Sequence, residues 1–172
     1  MSRVRRIVAD LQTFARLHEA ERKTVDLAEN LRSTLALAKS ELSARRIKVR
    51  FDLAELPPVA CYPAELNQVF MNLIVNAVQA MPQGGVLTLR GQRQDDGQTR
   101  LQFQDTGAGI PPDVIGKIFD PFFTTKPVGS GTGLGLSVSY NIVVKRHGGR
   151  IEVESAVGRG TVFTLLLPEH PP

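Results

Sequence analysis

The stretch "GSGTGLGLS" at residues 129–137 carries the strongest signal in the chain, because it places four glycines in seven positions and then runs into "VSYNIVVKRHGG". Glycine at that density is costly unless the backbone must bend sharply or approach something closely. A glycine-rich turn that opens a helix can present backbone N–H groups to an anion. The stretch lacks the lysine and the spacing of a P-loop, and its glycines do not stand at the offsets of the dinucleotide fingerprint. A tight turn and a phosphate cradle therefore both remain open.

The bulk composition predicts one soluble domain. The chain has 172 residues, 42% of them apolar, which suits one domain with a sizeable core and a short appendage. The 21 basic and 17 acidic residues give a net charge of +4 with scattered basic side chains, so no nucleic-acid partner is expected. The single cysteine, Cys61, excludes an internal disulfide and is expected in the core. No apolar run approaches the roughly 18 residues of a membrane span.

The ends of the chain differ from its middle. "SRVRRIVADLQTFARL" has the apolar spacing of an amphipathic helix that needs a partner surface, and the polar "HEAERKT" (18–24) after it is typical of a linker. We therefore predict that residues 1–20 are the last part of another module, that residues 21–168 form the main domain, and that residues 169–172 are a disordered tail.

The main domain reads as helices followed by mixed strands. A helix that ends at Gly148 closes with His147, where a positive charge is favourable. The pattern predicts α+β architecture, a two-layer α/β sandwich whose mixed, mostly antiparallel sheet is covered on one face by helices. The predicted elements are helices over 26–42, 63–81 and 132–147, strands over 47–53, 86–92, 99–105, 150–155 and 158–168, and a loop of nearly thirty residues before the last helix.

Asp105 ends a predicted strand in "DTGAGI", directly before Gly107 and Gly109. A carboxylate beside flexible glycines can accept a hydrogen bond from an exocyclic amine while backbone packs on a flat ring, which would select adenine over guanine. The alternative is that Asp105 only caps a turn.

Asn72 and Asn76 are four residues apart on an otherwise apolar helix and so share one face. Unpaired amides are expensive in such a setting. Bound Mg²⁺ with its phosphates would satisfy them, since amide oxygens suit a hard cation. The alternative is that both amides cap backbone groups inside the fold.

Together, "NQVFMNLIVNAVQA", "DTGAGI", "DPFFTTKPVGSGTGLGLS" and "GRGTVFTLLLP" resemble the N, G1, F, G2 and final glycine boxes of sensor histidine kinases. These kinases share an ATPase superfamily and its Bergerat-type fold with gyrase, Hsp90 and MutL. The resemblance spans about residues 22–168. The wording "DPFFTTKPVGSGTGLGLSVSY" looks most like the nitrogen-regulation branch, and "RIVADLQTFAR" resembles the end of the second helix of the dimerisation and phosphotransfer hairpin.

The resemblance implies a role for each matching position. Asp105 would bind the adenine amine, Asn76 would hold Mg²⁺ with Asn72 alongside, and Lys126 would contact phosphate within a lid over about residues 111–132. Phe119, Phe122 and Phe123 would anchor the lid or dock it on the helical module, unless they are core aromatics. The remaining implied nucleotide-binding residues are Gly107, Gly109, Thr125, Gly131, Thr132, Gly133, Leu134, Gly135 and Thr161.

One position separates transfer from hydrolysis. Hydrolysing members of the superfamily carry a water-activating glutamate where this chain has Asn72, and an amide cannot act as a general base. The resemblance therefore implies ATP-dependent phosphoryl transfer by a two-component kinase. The alternative is a regulatory ATP-binding module that sequesters a protein partner, as anti-sigma relatives do.

The resemblance also implies partners. The phosphoacceptor histidine of these kinases lies upstream of the matched segments, and none of His18, His147 and His170 fits that position. We therefore expect the acceptor on a separate histidine-bearing dimerisation hairpin, a homodimer in the full-length kinase, a response regulator as partner, and little autophosphorylation by this chain alone. We expect a cytoplasmic location, either free or as the cytoplasmic portion of a membrane-bound sensor.

Overall fold

A computed structural model describes residues 21–53, 55–125 and 131–169. The predictions for the helix in residues 1–20, for Lys126 and for residues 170–172 lie outside these residues. In chain order the elements are β1 (Lys23–Val25), α1 (Leu27–Ala44), β2 (Ile47–Leu53), β3 (Val59–Cys61), α2 (Pro63–Ala80), β4 (Gly85–Arg93), β5 (Gln98–Asp105), α3 (Pro112–Ile115), α4 (Gly135–Tyr140) with a π-helical continuation (Asn141–Arg146), β6 (Arg150–Ala156) and β7 (Gly160–Pro168).

The main sheet has five strands in the order β2-β4-β5-β7-β6. Strand β2 pairs with β4 in parallel, and the other neighbours are antiparallel. Alternate residues of β5, among them Leu101 and Phe103, are buried, and the ring of Phe103 lies 5.8 Å from that of Phe70 on α2. The predicted two-layer sandwich with a mixed, mostly antiparallel sheet is confirmed.

The two long helices begin where the sequence predicts. The Asp26 carboxylate accepts the N–H groups of Ala28 at 2.7 Å and Glu29 at 3.3 Å, which satisfies two of the free donors at the start of α1. Pro63 opens α2, where the missing N–H costs nothing. Both helices bury a stripe of side chains at helical spacing, and that of α2 includes Leu66, Phe70, Leu73 and Ile74.

The predicted linker over residues 18–24 is wrong at its end, because Lys23–Val25 forms strand β1. This strand pairs antiparallel with β3, with Lys23 opposite Cys61 and Val25 opposite Val59. Strands of three residues are too short to show an alternating pattern, so only the pairing reveals them. The prediction that Cys61 is a core residue is confirmed: the side chain is fully buried, and burial raises the pKa of its thiol to about 11.

The last helix starts later than predicted. Gly133 has φ +69°, a left-handed conformation that cannot continue a right-handed helix, so α4 begins at Gly135 rather than Thr132. After Tyr140 the helix widens to π geometry, and the N–H of His147 donates to the Ile142 carbonyl five residues back. Neither feature has a periodicity signal in the sequence.

The predicted tail is wrong at its first residue. The Glu169 N–H donates to the Gly97 carbonyl at 3.2 Å, its carbonyl accepts the N–H of Ala60 at 3.1 Å, and its carboxylate pairs with Arg93 at 2.6 Å. Glu169 therefore belongs to the folded domain.

Candidate functional site

A cavity of about 530 Å³ opens between one face of α2, the ends of β5 and β7, and the chain on either side of residues 126–130. Its volume suits a small-molecule ligand. The predicted site residues that line it are Asn72, Asn76, Asp105, Gly109, Thr125, Gly131, Thr132, Gly133, Leu134, Gly135 and Thr161. The fold thus brings together residues that lie up to 89 positions apart between Asn72 and Thr161 (161 − 72).

Asp105 is 5% exposed at the end of β5. Its Oδ1 accepts the N–H of Gly107 at 2.8 Å and the N–H of Thr161 at 3.3 Å, which fixes the orientation of the carboxylate. Burial raises the pKa of Asp105 above its ordinary value, while the two N–H donors act in the opposite direction. The carboxylate is therefore an oriented acceptor in the cavity wall.

The two glycines after Asp105 have different roles. Gly109 lines the cavity and has φ +73°, and a Cβ there would overlap the carbonyl of Ala156. Gly107 is not among the lining residues. A Cβ on Gly107 would lie 2.6 Å from the Ala80 carbonyl, so this glycine lets the loop pack against the end of α2.

Asn72 and Asn76 both line the cavity on α2. The Nδ2 of Asn72 donates to the Gly135 carbonyl at 3.0 Å and to Ser139 Oγ at 3.3 Å, so its amide ties α2 to the start of α4. At Asn72 the amide thus binds backbone inside the fold, which is the alternative that the sequence left open. Both of these bonds use Nδ2, so the Asn72 side-chain oxygen can still act as an acceptor. Asn76 also has an interaction with the rest of the protein.

Five further cavity residues lie on α2 and were not predicted. They share the i+3 and i+4 spacing that joins them to Asn72 and Asn76 on one helix face, and that spacing is the signal that would have found them. These residues are Gln68, Met71, Val75, Gln79 and Ala80.

The three predicted lid aromatics lie in different environments. Phe119 is partly buried against the core, with its ring 5.7 Å from that of Tyr140, and Phe123 is partly buried and lines the cavity. Phe122 is 64% exposed and has φ 67°. Phe119 and Phe123 thus pack against the core without being fully buried, whereas Phe122 does not.

A second polar cluster lies at the opposite end of α2. His147 is 1% exposed; its Nε2 accepts the N–H of Tyr62 at 3.1 Å, and its Nδ1 therefore carries the proton and donates to Ile142 at 2.8 Å. Burial lowers the pKa of His147 below 6.5. His147 therefore does not supply the positive charge that this helix end favours, because its buried ring accepts a hydrogen bond at Nε2; Lys145 and Arg146 lie in the same turn.

Glu65 belongs to the same cluster and is 3% exposed. Its Oε1 accepts a hydrogen bond from Arg146 at 3.2 Å, and the Arg146 guanidinium lies 4.3 Å from the centre of the Tyr62 ring. This ion pair connects the start of α2 with the end of the π-helical segment.

Among the described residues, no helix is both long enough and apolar enough to span a membrane.

A family model matches residues 61–171, and its description is "Histidine kinase-, DNA gyrase B-, and HSP90-like ATPase". The sensor kinase CckA of Brucella abortus is 38% identical over 97% of this chain and 19% of its own length. The sensor histidine kinase ZraS of Escherichia coli K12 is 38% identical over 96% of this chain and 35% of its own length. The chain thus spans about a third or less of these two relatives.

Solved structures give the same result. The catalytic domain of histidine kinase ThkA is 31% identical, with a TM-score of 0.80 over 88% of this chain and 97% of that one. Full-length ShkA in complex with AMPPNP is 29% identical, with a TM-score of 0.82 over 94% of this chain and 35% of that one. ThkA in complex with the response regulator TrrA is 25% identical, with a TM-score of 0.79 over 96% of this chain and 48% of that one.

The cavity, the sheet order and these relatives agree, and the relatives favour the kinase over the partner-sequestering alternative. The chain belongs to the histidine kinase-, DNA gyrase B- and HSP90-like ATPase family, and within it is an ATP-binding catalytic domain of the two-component sensor histidine kinase type.

Proposed function

We propose that this chain transfers the γ-phosphoryl group of ATP to a histidine on a separate helical module of a longer sensor kinase. In that transfer the bond from phosphorus to the bridging oxygen of ADP breaks, and a bond to the imidazole nitrogen forms. The observation that carries the proposal is the meeting of the oriented Asp105 carboxylate, Asn76 and the turn of Gly131, Gly133 and Gly135 in one cavity.

Asp105 is proposed to accept a hydrogen bond from the adenine amine. Both of its hydrogen bonds from the described backbone end on Oδ1, which leaves Oδ2 for a donor in the cavity. Guanine presents a carbonyl oxygen at the position of that amine, and an ionised carboxylate repels it. Gly109 and Thr161 line the same end of the cavity, and Gly107 supports it through its N–H to Asp105.

The triphosphate is proposed to lie between α2 and the start of α4. The first amides of a helix present N–H groups to an anion, and the backbone from Gly131 to Gly135 with Thr125 would surround the phosphates. Asn76 fits a cation ligand, because its amide oxygen suits Mg²⁺ and the nucleotide supplies further oxygens. Mg²⁺ held there would neutralise phosphate charge. Lys126 remains a proposed phosphate contact.

Asn72 is proposed to position α4 rather than to activate water. Its Nδ2 is engaged by Gly135 and Ser139, and an amide has no basic group at neutral pH. The site then lowers the barrier by positioning and charge stabilisation, and the nucleophile comes from outside.

The acceptor histidine is proposed to lie on another module. His147 is buried with both ring nitrogens bonded, so it cannot reach the cavity mouth as a nucleophile. We further propose a homodimer of the full-length kinase, a response regulator that receives the phosphoryl group, and a cytoplasmic location. The complex of ThkA with TrrA supports the regulator. The nitrogen-regulation branch stays a prediction.

The test is to incubate the chain with labelled ATP and a separately produced histidine-bearing hairpin from a related sensor kinase. We expect label on the histidine of the hairpin and none on the chain alone. A hairpin with glutamine at that histidine is the control. If ATP binds but no hairpin is ever labelled, the partner-sequestering alternative replaces the kinase.

A further inference from the structure

Ser155, on β6, makes contacts with the base end of the cavity although it is not among the lining residues. We propose that Ser155 is a positioning residue for nucleotide binding, which fixes the loop after Asp105 to the β6–β7 hairpin. The inference rests on the proposed function, because it concerns how the adenine end of that site keeps its shape.

The hydroxyl of Ser155 uses its full hydrogen-bonding capacity. Oγ accepts the N–H of Ile110 at 2.8 Å and donates to the carbonyl of Gly160 at 3.0 Å. It also lies 2.9 Å from Thr161 Oγ1. A hydroxyl has one proton and two acceptor sites. Because Ser155 donates its one proton to the Gly160 carbonyl, the Thr161 hydroxyl must donate to Ser155. All three hydrogen bonds can then form together.

Two of these partners line the cavity, namely Ile110 and Thr161. Thr161 also donates its N–H to Asp105 Oδ1. Ser155 therefore contacts both sides of the base site. On the loop it binds Ile110, and on β7 it binds Thr161, whose N–H orients the Asp105 carboxylate.

The loop lies between the hairpin and the cavity. A Cβ on Gly109 would overlap the Ala156 carbonyl, and a Cβ on Gly160 would overlap the Asp105 carbonyl, so the two backbones are in direct contact. The loop therefore has no room to move towards the hairpin. If the bond to Ser155 is lost, Ile110 can shift away from the hairpin and into the cavity that it lines, where the base would lie.

Backbone bonds hold the same loop at a second point. Ala108 donates its N–H to Ala80 at 3.0 Å and accepts the N–H of Gly158 at 2.8 Å. These bonds do not depend on side chains, so we expect them to survive a change at Ser155. A substitution there should loosen Ile110 while Ala108 stays in place.

The experiment compares Ser155→Ala with Thr164→Val in the full chain. Thr164 is a matched control, because it lies on the partner strand β7 and its hydroxyl accepts from Gln102 away from the cavity. Calorimetry measures the dissociation constants of ATP and ADP, and amide hydrogen exchange by NMR follows Ile110 and Ala108. We expect Ser155→Ala to raise both dissociation constants by a similar factor of about two to ten, the equivalent of one net hydrogen bond.

Exchange should separate positioning from general destabilisation. We expect the Ile110 amide to exchange faster in Ser155→Ala, with Ala108 unchanged, and Thr164→Val to leave the affinity and Ile110 unaltered. Ser155→Thr keeps the hydroxyl and should have the nucleotide affinity and the Ile110 exchange rate of the unmodified chain. An affinity in Ser155→Ala equal to that of the control, or a lower affinity with unchanged Ile110 exchange, overturns the proposal.

Two outcomes remain decisive even if Ser155→Ala does not fold. An unprotected Ile110 amide in the unmodified, nucleotide-free chain overturns the role of Ser155, and so does weak binding by a folded Ser155→Thr variant whose hydroxyl is retained. If the unmodified chain binds no adenine nucleotide, the proposed function itself fails, which is distinguishable because the exchange measurement needs no ligand.

Discussion

The backbone N–H of Phe122 donates to the carbonyl oxygen of Gly133 at 3.0 Å, and both residues have left-handed backbone, with φ 67° and +69°. A Cβ on Gly133 would overlap the backbone of Phe122. The pair thus joins the two ends of the segment that contains residues 126–130, directly beside the cavity.

Gly133→Ala should separate these two ends. The left-handed conformation costs a non-glycine residue about 1–2 kcal/mol, and the overlap with Phe122 adds to it. We expect at least roughly tenfold weaker ATP binding by calorimetry, about 1.4 kcal/mol, with an unchanged circular dichroism spectrum.

Gly97→Ala is the matched control for that change, because Gly97 has φ +74° but nothing within 4 Å of a Cβ and lies in the hairpin at the far end of β4 and β5. It should lose similar conformational stability and keep its ATP affinity. Equal affinities in the two variants would contradict the role of the Phe122–Gly133 pair.

Asp105→Asn should weaken ATP binding and stabilise the empty protein. The amide keeps an oxygen for the N–H groups of Gly107 and Thr161 but turns a donor towards the adenine amine, so we expect a loss of about 1.5–3 kcal/mol in binding. Because the pKa of Asp105 is raised by burial, the folded state keeps the proton to higher pH than the unfolded state does. Unfolding free energy is therefore lost as pH rises through the raised pKa, and the variant escapes that loss.

Thermal unfolding without nucleotide and ATP titration at neutral pH test both halves of this prediction. Asp52→Asn is the control, since the Asp52 side chain is 77% exposed in a surface ion pair with Arg90 and should change neither quantity. Unchanged ATP affinity in Asp105→Asn would remove the adenine assignment.

His147→Gln should flatten the acid side of the stability profile. The pKa of His147 is lowered by burial, so the unfolded chain binds this proton more readily, and the unfolding free energy falls as pH drops below 6.5. Glu65, Arg146 and Arg22 are the charged groups that act on the ring. Between about pH 7.5 and about pH 5.5, we expect the melting temperature of the wild type to fall further than that of the variant. Parallel profiles would show that His147 does not titrate in this range.

Arg146→Met should destabilise the fold by leaving the carboxylate of Glu65 buried without its cation. Breaking a buried pair costs roughly 3–5 kcal/mol, and the lower end is expected because the Arg146 side chain is 31% exposed. Chemical denaturation measures the loss, and adding Glu65→Gln should recover most of it.

Arg150→Ala serves as the surface comparison for that ion pair. The Arg150 and Glu152 side chains are 66% and 46% exposed, so the change should stay below about 1 kcal/mol. If the double variant is no more stable than Arg146→Met alone, the cation is not what stabilises Glu65.

Local pattern predicted most of the elements. Strand β2 at Ile47–Leu53 coincides with the predicted range, and α2 ends one residue before its predicted end, because alternation and the apolar stripe are properties of neighbouring residues. Strand β1 and the late start of α4 were missed, since one depends on a pairing partner and the other on the left-handed Gly133.

By itself, the sequence determined the long helices and strands, since periodicity is a local property, and it singled out Asn72, Asn76 and Asp105 as polar groups that face the cavity. Only the tertiary structure decided that Asn72 ties α2 to α4, that Ser155 contacts the loop after Asp105, and that the buried ring of His147 accepts the N–H of Tyr62. These three depend on a partner far away in the chain or on the low polarity of a buried position. Neither exists until the chain has folded.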